Sequence, residues 1–449
     1  MKIAWYTPYS EHSAIGRFSQ QIVAALRSLQ AEVTVVRCER KTSDIRSISA
    51  LKDDRDWVWA EDFGRNPIKK LNSFDITIYN LGDHFDFHAF SILHQKRVPG
   101  ITVLHDYSLH NALHNYCLFN AEESNDYREH LYSEFGHEAL EAMDEMYLQD
   151  QPARWWNQEI ARFPLFRWAM MDTLGTVTHA NHYRGVVAEQ IGCPTTTIPL
   201  SYDAITDAKP AATPMQDEKF TIITVGNINS NKRYSAIIRA IHESPLLREK
   251  CRYRIVGSSG DGAVGQLQQE VDQLEHPIDV SFTGRVDHET LEREVSQAHI
   301  ISCLRYPALE GASASVIEGL RSNRPVIVSD NGCYQEIPDD LTFKVSPPKE
   351  HQELTHRLEW IVNHYDQAKQ RAVRANQWAT ERHCPKAYSK AMLEFIDLVL
   401  YNAPVLRTSD RVAAALKTWG IEANSPLLER IDVGMQDLFG RPDSSAKAA

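Results

Sequence analysis

Two glutamates eight residues apart mark the stretch of sequence best suited to chemistry. Glu310 stands in a loop with Gly311, Ala312 and Ser313, and Glu318 falls inside the helix predicted to follow. Small residues let a backbone approach a ligand closely, and the free N–H groups of a helix start attract phosphate oxygens. Carboxylates on either side are suited to accept hydrogen bonds from sugar hydroxyls. The block indicates a site for a phosphate-bearing sugar, although its spacing also fits two solvated glutamates.

Other patterns that suggest chemistry have simpler interpretations. The D-x-D motif at 54–56 suits a divalent metal but lies in a charged loop, which favours a solvated turn. His84 with His88, and His110 with His114, have zinc-like spacing without the general-base Glu of H-E-x-x-H. We therefore expect no metal, and expect the first pair to line a cleft or cap a helix. The Gly-rich run at 257–262 lacks the G-x-G-x-x-G order of a dinucleotide loop, and is predicted to connect a strand to a helix.

Short Val/Ile-rich runs alternate with longer helical patterns, as in parallel sheets covered by helices. The first set of predicted strands comprises residues 2–8, 32–38, 75–79, 101–104, 173–178 and 195–199, and the second comprises 220–225, 253–256, 280–283, 299–304, 325–329 and 341–345. A Pro-containing, polar stretch at 203–219 separates the sets and indicates a linker. The sequence thus predicts two α/β units with a ligand cleft between them.

The predicted domains are residues 1–202, with a helical insertion at 111–171, then 203–384, and C-terminal helices at 385–449. The last part of the insertion carries Trp155, Trp156, Phe163, Phe166 and Trp168. Aromatic residues at helical spacing usually belong to a core, and the alternative is an apolar acceptor or a membrane surface.

Composition excludes several classes of protein. The 449 residues include 48 Lys and Arg against 60 Asp and Glu, a net charge of −12, with 43% hydrophobic and 24% charged residues. That balance is globular, and it argues against nucleic acid as a partner and weakens attachment to anionic lipid. Seven scattered cysteines fit neither a disulfide framework nor a zinc site. The N-terminus has no signal-peptide pattern and no run of about 18 apolar residues occurs, so a cytoplasmic protein is expected.

The strand, loop and helix around Glu310 and Glu318 resemble the E-x7-E block of retaining glycosyltransferases of family 4, whose GT-B fold has two facing Rossmann-like domains. Further matches follow in the family's order: Gly16 in the first strand–helix turn, His105 and Asp106 at a first-domain strand end, Gly226, Asn227 and Lys232 opening the second unit, Gly284, Arg285 and Val286 at a later strand end, and Gly82, His88, Pro99 and Gly100 as in bacterial members. The resemblance extends to about residue 400.

The resemblance implies sugar transfer from a nucleotide-diphosphate donor with retained anomeric configuration. It implies that Glu318 binds the ribose, that Glu310 binds the donor sugar, and that His105 lies beside that sugar. Lys232 would neutralise the departing diphosphate, helped by the N–H groups of residues 311–313. It also implies that the C-terminal helices cross back onto the first domain.

Two departures from the family pattern affect these expectations. Asn227 replaces the usual Arg, so Arg233 or Arg305 would have to supply the missing cation, or Lys232 and the helix start act without it. Ala312 and Ser313 replace a common Phe-Gly, which puts the sugar preference in doubt. The alternative function is a noncatalytic GT-B partner or a sugar-nucleotide sensor.

The donor is expected to be a UDP-, GDP- or TDP-sugar, with no cofactor beside it. The acceptor is expected to be a saccharide, a lipid-linked glycan or a small metabolite, and peripheral membrane contact stays open. Bacterial proteins of this appearance often build surface polysaccharides, so polysaccharide biosynthesis is the expected setting.

Overall fold

The computed structural model describes residues 1–10, 13–42, 45, 48–51, 57–119, 127–205, 212–215, 218–258, 262–422 and 425–439. Within these residues the chain forms two parallel β-sheets with helices on both faces. The predicted pair of α/β units is confirmed. No helix in the described ranges is both long and apolar enough to cross a membrane.

The first sheet has seven strands in the order β3-β2-β1-β4-β5-β6-β7. Its strands are β1 (Lys2–Thr7), β2 (Glu32–Arg37), β3 (Val58–Trp59), β4 (Ile76–Leu81), β5 (Ile101–Leu104), β6 (Gly175–Thr178) and β7 (Thr195–Thr197). The central strand β4 is buried at every position, because helices cover both faces of a parallel sheet. The strand order reverses between β1 and β4, which is where such sheets open a crevice for ligands.

The second sheet has six strands in the order β10-β9-β8-β11-β12-β13. They are β8 (Phe220–Val225), β9 (Cys251–Val256), β10 (Val280–Gly284), β11 (Ile300–Cys303), β12 (Val326–Ser329) and β13 (Phe343–Val345). Its order again reverses at the first strand, between β8 and β11. Each sheet therefore offers a crevice at the carboxyl ends of its central strands.

Eighteen α-helices occur in the described residues. They are α1 (Ala14–Ser28), α2 (Ile68–Leu71), α3 (Phe85–Gln95), α4 (His110–Phe119), α5 (Tyr127–Phe135), α6 (His137–Leu148), α7 (Pro152–Asn157), α8 (Arg167–Met170), α9 (Asn181–Ile191), α10 (Tyr234–Glu243), α11 (Pro245–Lys250), α12 (Ala263–Asp272), α13 (His288–Ser296), α14 (Ala314–Arg321), α15 (Glu350–Asn363), α16 (Tyr365–Arg382), α17 (Pro385–Thr418) and α18 (Leu427–Phe439).

The segment between β5 and β6 forms helices α4 to α8, which cover one side of the first sheet. Trp155, Phe163, Phe166 and Trp168 are buried there in the hydrophobic core, and Trp156 packs against it half-buried. These aromatic residues therefore hold the helices onto the domain, as the core interpretation predicted.

Helix α17 returns from the second domain and packs on the first. Its residues Tyr388, Phe395 and Val399 share a core cluster with β1 and α1. Gly175 in β6 has no side chain, and a Cβ there would stand 2.5 Å from Val399 Cγ2. The close approach of α17 to the sheet thus depends on this glycine.

Backbone hydrogen bonds join the two domains beside the crevices. Residues Asp106 and Glu310 form an isolated antiparallel bridge, and Gly311 N–H donates to His105 O at 2.7 Å. Farther along the interface, Glu336 accepts the backbone N–H of His182 at 2.6 Å. These contacts place the carboxyl ends of the two sheets opposite each other.

Candidate functional site

A cavity of about 780 Å³ lies between the domains at the carboxyl ends of both sheets. The first domain lines it with Ser13, Ala14, Ile15, Asp83, His84, Phe87, His88, His105, Asp106, Leu200 and Tyr202. The second domain lines it with Val225, Gly226, Asn227, Val256, Gly257, Ser258, Arg285, Val286, Leu291, Glu310, Ala312, Ser313 and Ala314. The volume is within the range of small-molecule sites.

The second-domain wall is built from loops that follow β8, β9 and β10. Gly226 and Gly257 have φ of +104° and +154°, and a Cβ on Gly257 would stand 2.1 Å from Gly226 O. Only glycine lets these two loops pass so closely, which exposes backbone to the cavity. The carbonyl of Gly284 (φ +69°) accepts the N–H of Gly257 at 3.0 Å, and Arg285 and Val286 then enter the lining.

Lys232 lies buried directly behind Gly226. Its Nζ donates to Val225 O at 3.2 Å and stands 2.6 Å from the place that a Cβ on Gly226 would occupy. Burial, and next the charge of Arg305, lower the pKa of Lys232 to about 7. An anion that binds close to Lys232 would therefore favour its charged ammonium form.

The two cations proposed to replace the family's Arg at position 227 lie in different places. Arg233 adopts a left-handed backbone, and its guanidinium pairs with Glu350 on the far side of the loop, outside the cavity lining. Arg305 is buried with its Nε 3.2 Å from Glu310 Oε1. Arg305, and not Arg233, is thus the arginine near Lys232 and the cavity. Asn227 itself lines the cavity and accepts the Ser258 hydroxyl at 3.2 Å.

Glu310 lines the cavity with its carboxylate firmly held. It accepts the hydroxyl of Tyr334 and pairs with Arg305, while Leu309 N–H donates to its Oε2 at 3.1 Å. These contacts fix the side chain of Glu310 at the junction of the domains. The sequence analysis did not predict the role of Tyr334. Tyr334 lies 24 positions after Glu310, and no local pattern relates the two residues.

Glu318 does not reach the cavity lining. It stands one helical turn after Ala314 on the same face of α14, where it is buried and faces Arg17 across the domain interface at 3.5 Å. Burial raises its pKa to about 7, opposed by the charge of Arg17. The structure thus places the second glutamate just below the edge of the cavity.

Of the three backbone N–H groups expected to hold the diphosphate, that of Gly311 is already used. It donates to His105 O in the contact between the domains, so that part of the prediction is corrected. Gly311 is a glycine because a Cβ would stand 2.9 Å from the same oxygen. Ala312 and Ser313 do line the cavity, at the start of α14.

His105 lines the cavity with both ring nitrogens engaged. Its Nε2 contacts Asn80 Oδ1 at 2.9 Å, and its Nδ1 contacts His179 Nε2 at 3.3 Å. Burial, and the charges that His179 and His88 would carry, lower the pKa of His105 well below its ordinary value. Its ring is therefore a neutral part of the wall, and its carbonyl serves the domain contact.

Gly16 lies in the first turn of α1, outside the cavity lining and next to Ile15, which belongs to it. A Cβ on Gly16 would stand 2.6 Å from Pro8 O, so this glycine lets the helix approach the loop after β1. Gly16 therefore serves the packing of α1 at the rim of the cavity.

For two carboxylates of the first-domain wall, the sequence analysis missed Asp83 and named Asp106 without giving it a role of its own. Asp106 accepts the N–H of Asp83 at 2.8 Å, and Asp83 accepts Asn111 Nδ2 at 2.8 Å and the N–H of Ala112 at 2.9 Å. Burial raises the pKa of Asp83 to about 8 and that of Asp106 to about 6. The signal was available, since each residue lies two positions after the end of an observed strand, β4 or β5.

The remaining motifs lie partly outside the described residues. The D-x-D at 54–56 lies outside the described residues. His110 is buried among Tyr127 and Trp155, and within the described part of the chain no three His, Cys, Asp or Glu side chains group as a metal site requires. In the Gly-rich run, Gly257 and Ser258 line the cavity, and residues 259–261 are not described.

Comparison with known proteins identifies the second domain. Residues 206–378 match the family model described as glycosyl transferases group 1, so the chain carries a glycosyl transferases group 1 domain. No curated protein matches the sequence.

Solved structures show the same fold over nearly the whole chain. Sucrose-phosphate synthase from Thermosynechococcus elongatus is 13% identical with a TM-score of 0.60, covering 89% of this chain and 99% of its own. HepE from Anabaena, solved with UDP and glucose, is 13% identical with a TM-score of 0.57, covering 88% and 99%. A glycosyltransferase from Rickettsia africae is 14% identical with a TM-score of 0.58, covering 89% and 99%. The fold is GT-B, as predicted.

Proposed function

We propose that this chain transfers a sugar from a nucleotide-diphosphate donor to a hydroxyl-bearing acceptor, with retention of the donor's anomeric configuration. The observation that carries the proposal is the cavity between the two sheets. Glu310 lines it, while Arg305 from the same loop and Lys232 from the loop after β8 lie close by, behind its wall. The group 1 domain and the GT-B fold support the same reaction class.

The donor diphosphate is proposed to lie against Gly226, Asn227 and the start of α14. Backbone exposed by the glycine loops and by the helix start offers N–H groups to phosphate oxygens. Breaking the anomeric bond leaves a diphosphate with added negative charge, and the buried Lys232 ammonium stabilises that charge as it forms. Arg305 holds the local potential positive and fixes Glu310 at the donor sugar.

The retaining reaction is proposed to proceed by attack on the same face from which the diphosphate leaves. The acceptor oxygen forms the new bond to the anomeric carbon, the bond to the phosphate oxygen breaks, and that oxygen takes the acceptor's proton. Glu310 is tied to Arg305 and Tyr334, which suits a sugar-binding carboxylate better than a covalent nucleophile. We further propose that Glu318 binds the ribose after a small movement away from Arg17.

UDP-sugars are the first donors to test, since HepE was solved with UDP and with UDP-glucose, with GDP- and TDP-sugars next. We expect the true donor at 100 times its Kd to raise the free energy of unfolding by about 2.7 kcal/mol in a thermal-shift assay. Asn227→Trp, at an exposed position of the cavity wall, should abolish the shift. NMR of the product should show the donor's anomeric configuration, and an inverted product would contradict retention.

A noncatalytic sugar-nucleotide sensor is the second candidate, favoured by Asn227 in place of the family's Arg. Slow release of nucleoside diphosphate that depends on Lys232 would support the enzyme. Tight donor binding with no release across donors and acceptors would support the sensor.

A further inference from the structure

The first-domain wall of the cavity contains a buried histidine with a free ring nitrogen. His88 on α3 is 3% exposed and lines the cavity, and its Nδ1 lies 3.0 Å from the backbone oxygen of Asn80. A carbonyl can only accept, so Nδ1 carries the proton and Nε2 carries a lone pair. Among the described residues Nε2 has no hydrogen-bond partner.

The pKa of His88 agrees with a neutral ring that carries its proton on Nδ1. Burial lowers the pKa of His88 to about 3, so the ring is neutral at physiological pH. By contrast, both ring nitrogens of His105 in the same wall are engaged. His88 is therefore the buried histidine of this wall that offers a hydrogen-bond acceptor to a ligand.

A carboxylate oxygen stands beside this lone pair. His88 Nε2 and Asp106 Oδ2 each lie 2.9 Å from one point, the place where a Cβ on Gly82 would stand. Gly82 thus lets the two hydrogen-bond acceptors approach its backbone more closely than any side chain there would allow. Asp106 in turn faces Glu310 in the bridge between the domains, so this wall meets the proposed donor sugar.

The wall is rich in acceptors and poor in positive charge. Burial keeps His88 and His105 uncharged. The wall's polar residues are Ser13, Asp83, His84, His88, His105, Asp106 and Tyr202. A ligand group that meets His88 Nε2 or the Asp106 carboxylate must donate a hydrogen bond. A phosphate or carboxylate group would bring negative charge against the Asp106 carboxylate, and among the described residues this wall has no cation to offset it.

We propose that His88 Nε2 and Asp106 bind neighbouring hydroxyls of the sugar acceptor, and that the acceptor is a neutral or amine-bearing polyol without phosphate near its reacting hydroxyl. This rests on the proposed function, and it names the acceptor chemistry of that site. His88 only accepts a hydrogen bond, so no bond is made or broken there.

The test uses the full chain saturated with UDP, with D-glucose, D-glucosamine and D-glucose 6-phosphate as probes. In histidine labelled with ¹⁵N, we expect glucose and glucosamine to shift the Nε2 resonance of His88, and glucose 6-phosphate to bind at least 10-fold more weakly. The titration needs no turnover. Glucose binding at His88 without nucleotide release from any donor would therefore contradict the proposed transferase activity. The same result would still support the proposal that His88 binds a sugar hydroxyl.

Two variants separate the acceptor role from a structural one. His88→Asn keeps an N–H near Nδ1 for the Asn80 carbonyl and removes the group at Nε2, while His88→Gln places an amide oxygen near Nε2. We expect His88→Asn to raise the KM for the acceptor at least 10-fold with donor Kd and donor hydrolysis within two-fold, and His88→Gln to recover most of the loss. An equal loss of donor affinity, tighter binding of glucose 6-phosphate, or an unmoved Nε2 resonance would overturn the proposal.

Discussion

Burial sets the charge of the groups on which the proposed reaction depends. Lys232 and Glu318 both have a pKa near 7, moved in opposite directions by the same loss of solvent. A buried ammonium loses charge more easily and a buried carboxyl keeps its proton longer. Both groups therefore respond to pH and to ligands within the physiological range.

Donor binding should take up protons at pH 8. With a pKa of about 7, Lys232 is mostly neutral at that pH in the free protein, and an arriving diphosphate favours its charged form. Calorimetry with UDP in two buffers of different ionisation enthalpy should show uptake of about half to one proton at pH 8 and much less at pH 6. Lys232→Ala should remove the difference, and its persistence in that variant would assign the protons elsewhere.

Glu318 should lower stability as pH rises. An unfolded glutamate ionises near pH 4.5, whereas Glu318 in the fold ionises at about 7, so the folded state binds more protons between these values and loses stability across them. Glu318→Gln should gain about 1 to 2 kcal/mol relative to the wild type between pH 5 and pH 8 in urea unfolding. The surface variant Glu249→Gln should show no such gain, and an equal response of both variants would contradict the burial argument.

At the level of residues, the sequence predicts which side chains belong to the site better than it predicts their orientation. The glutamate spacing and the resemblance single out Glu310 and Lys232, which the structure brings to the cavity or directly behind its wall. The direction of Arg233 was not foreseeable, because its partner Glu350 lies 117 residues away. The hydrogen bond of Gly311 depends on the contact between domains, which no local pattern encodes.

At the level of elements, hydrophobic runs predicted the parallel strands because both faces of each sheet are covered. The exception is β3, a two-residue edge strand with no buried run of its own. The sequence predicted that most of α17 is helical. Its packing on the first sheet depends on Gly175, and the sequence does not show this because the contact with Val399 arises only in the fold.

The same Gly→Ala substitution, made separately at two positions, tests the packing of α17 against β6. Gly175→Ala would put a Cβ 2.5 Å from Val399 Cγ2 and 3.1 Å from Phe395 Cζ, and we expect a loss of about 1 to 3 kcal/mol in urea unfolding. Gly185→Ala, on an exposed face of α9 with nothing within 4 Å of the new Cβ, should gain about 0.5 to 1 kcal/mol. Similar effects at both sites would contradict the role given to α17.

At the level of the whole molecule, the cavity exists because two domains meet. The bridge between Asp106 and Glu310, the pair of Arg17 with Glu318 and the contact of Glu336 with His182 all cross the interface. The donor-side groups and the His88 wall thus face each other only in this arrangement. The pattern of strands and helices predicted a cleft between two units, and the resemblance to GT-B proteins implied that the two units face each other.

The kinetics of Lys232→Ala test the central claim most directly. If the ammonium stabilises the departing diphosphate, kcat should fall by about 10²- to 10³-fold while the donor Kd changes far less, because the gain arises as charge develops. Lys219→Ala, which removes a surface ammonium paired with Asp279, serves as the matched control and should leave both constants unchanged. Equal losses in kcat and in donor affinity, or no loss in kcat, would contradict the account.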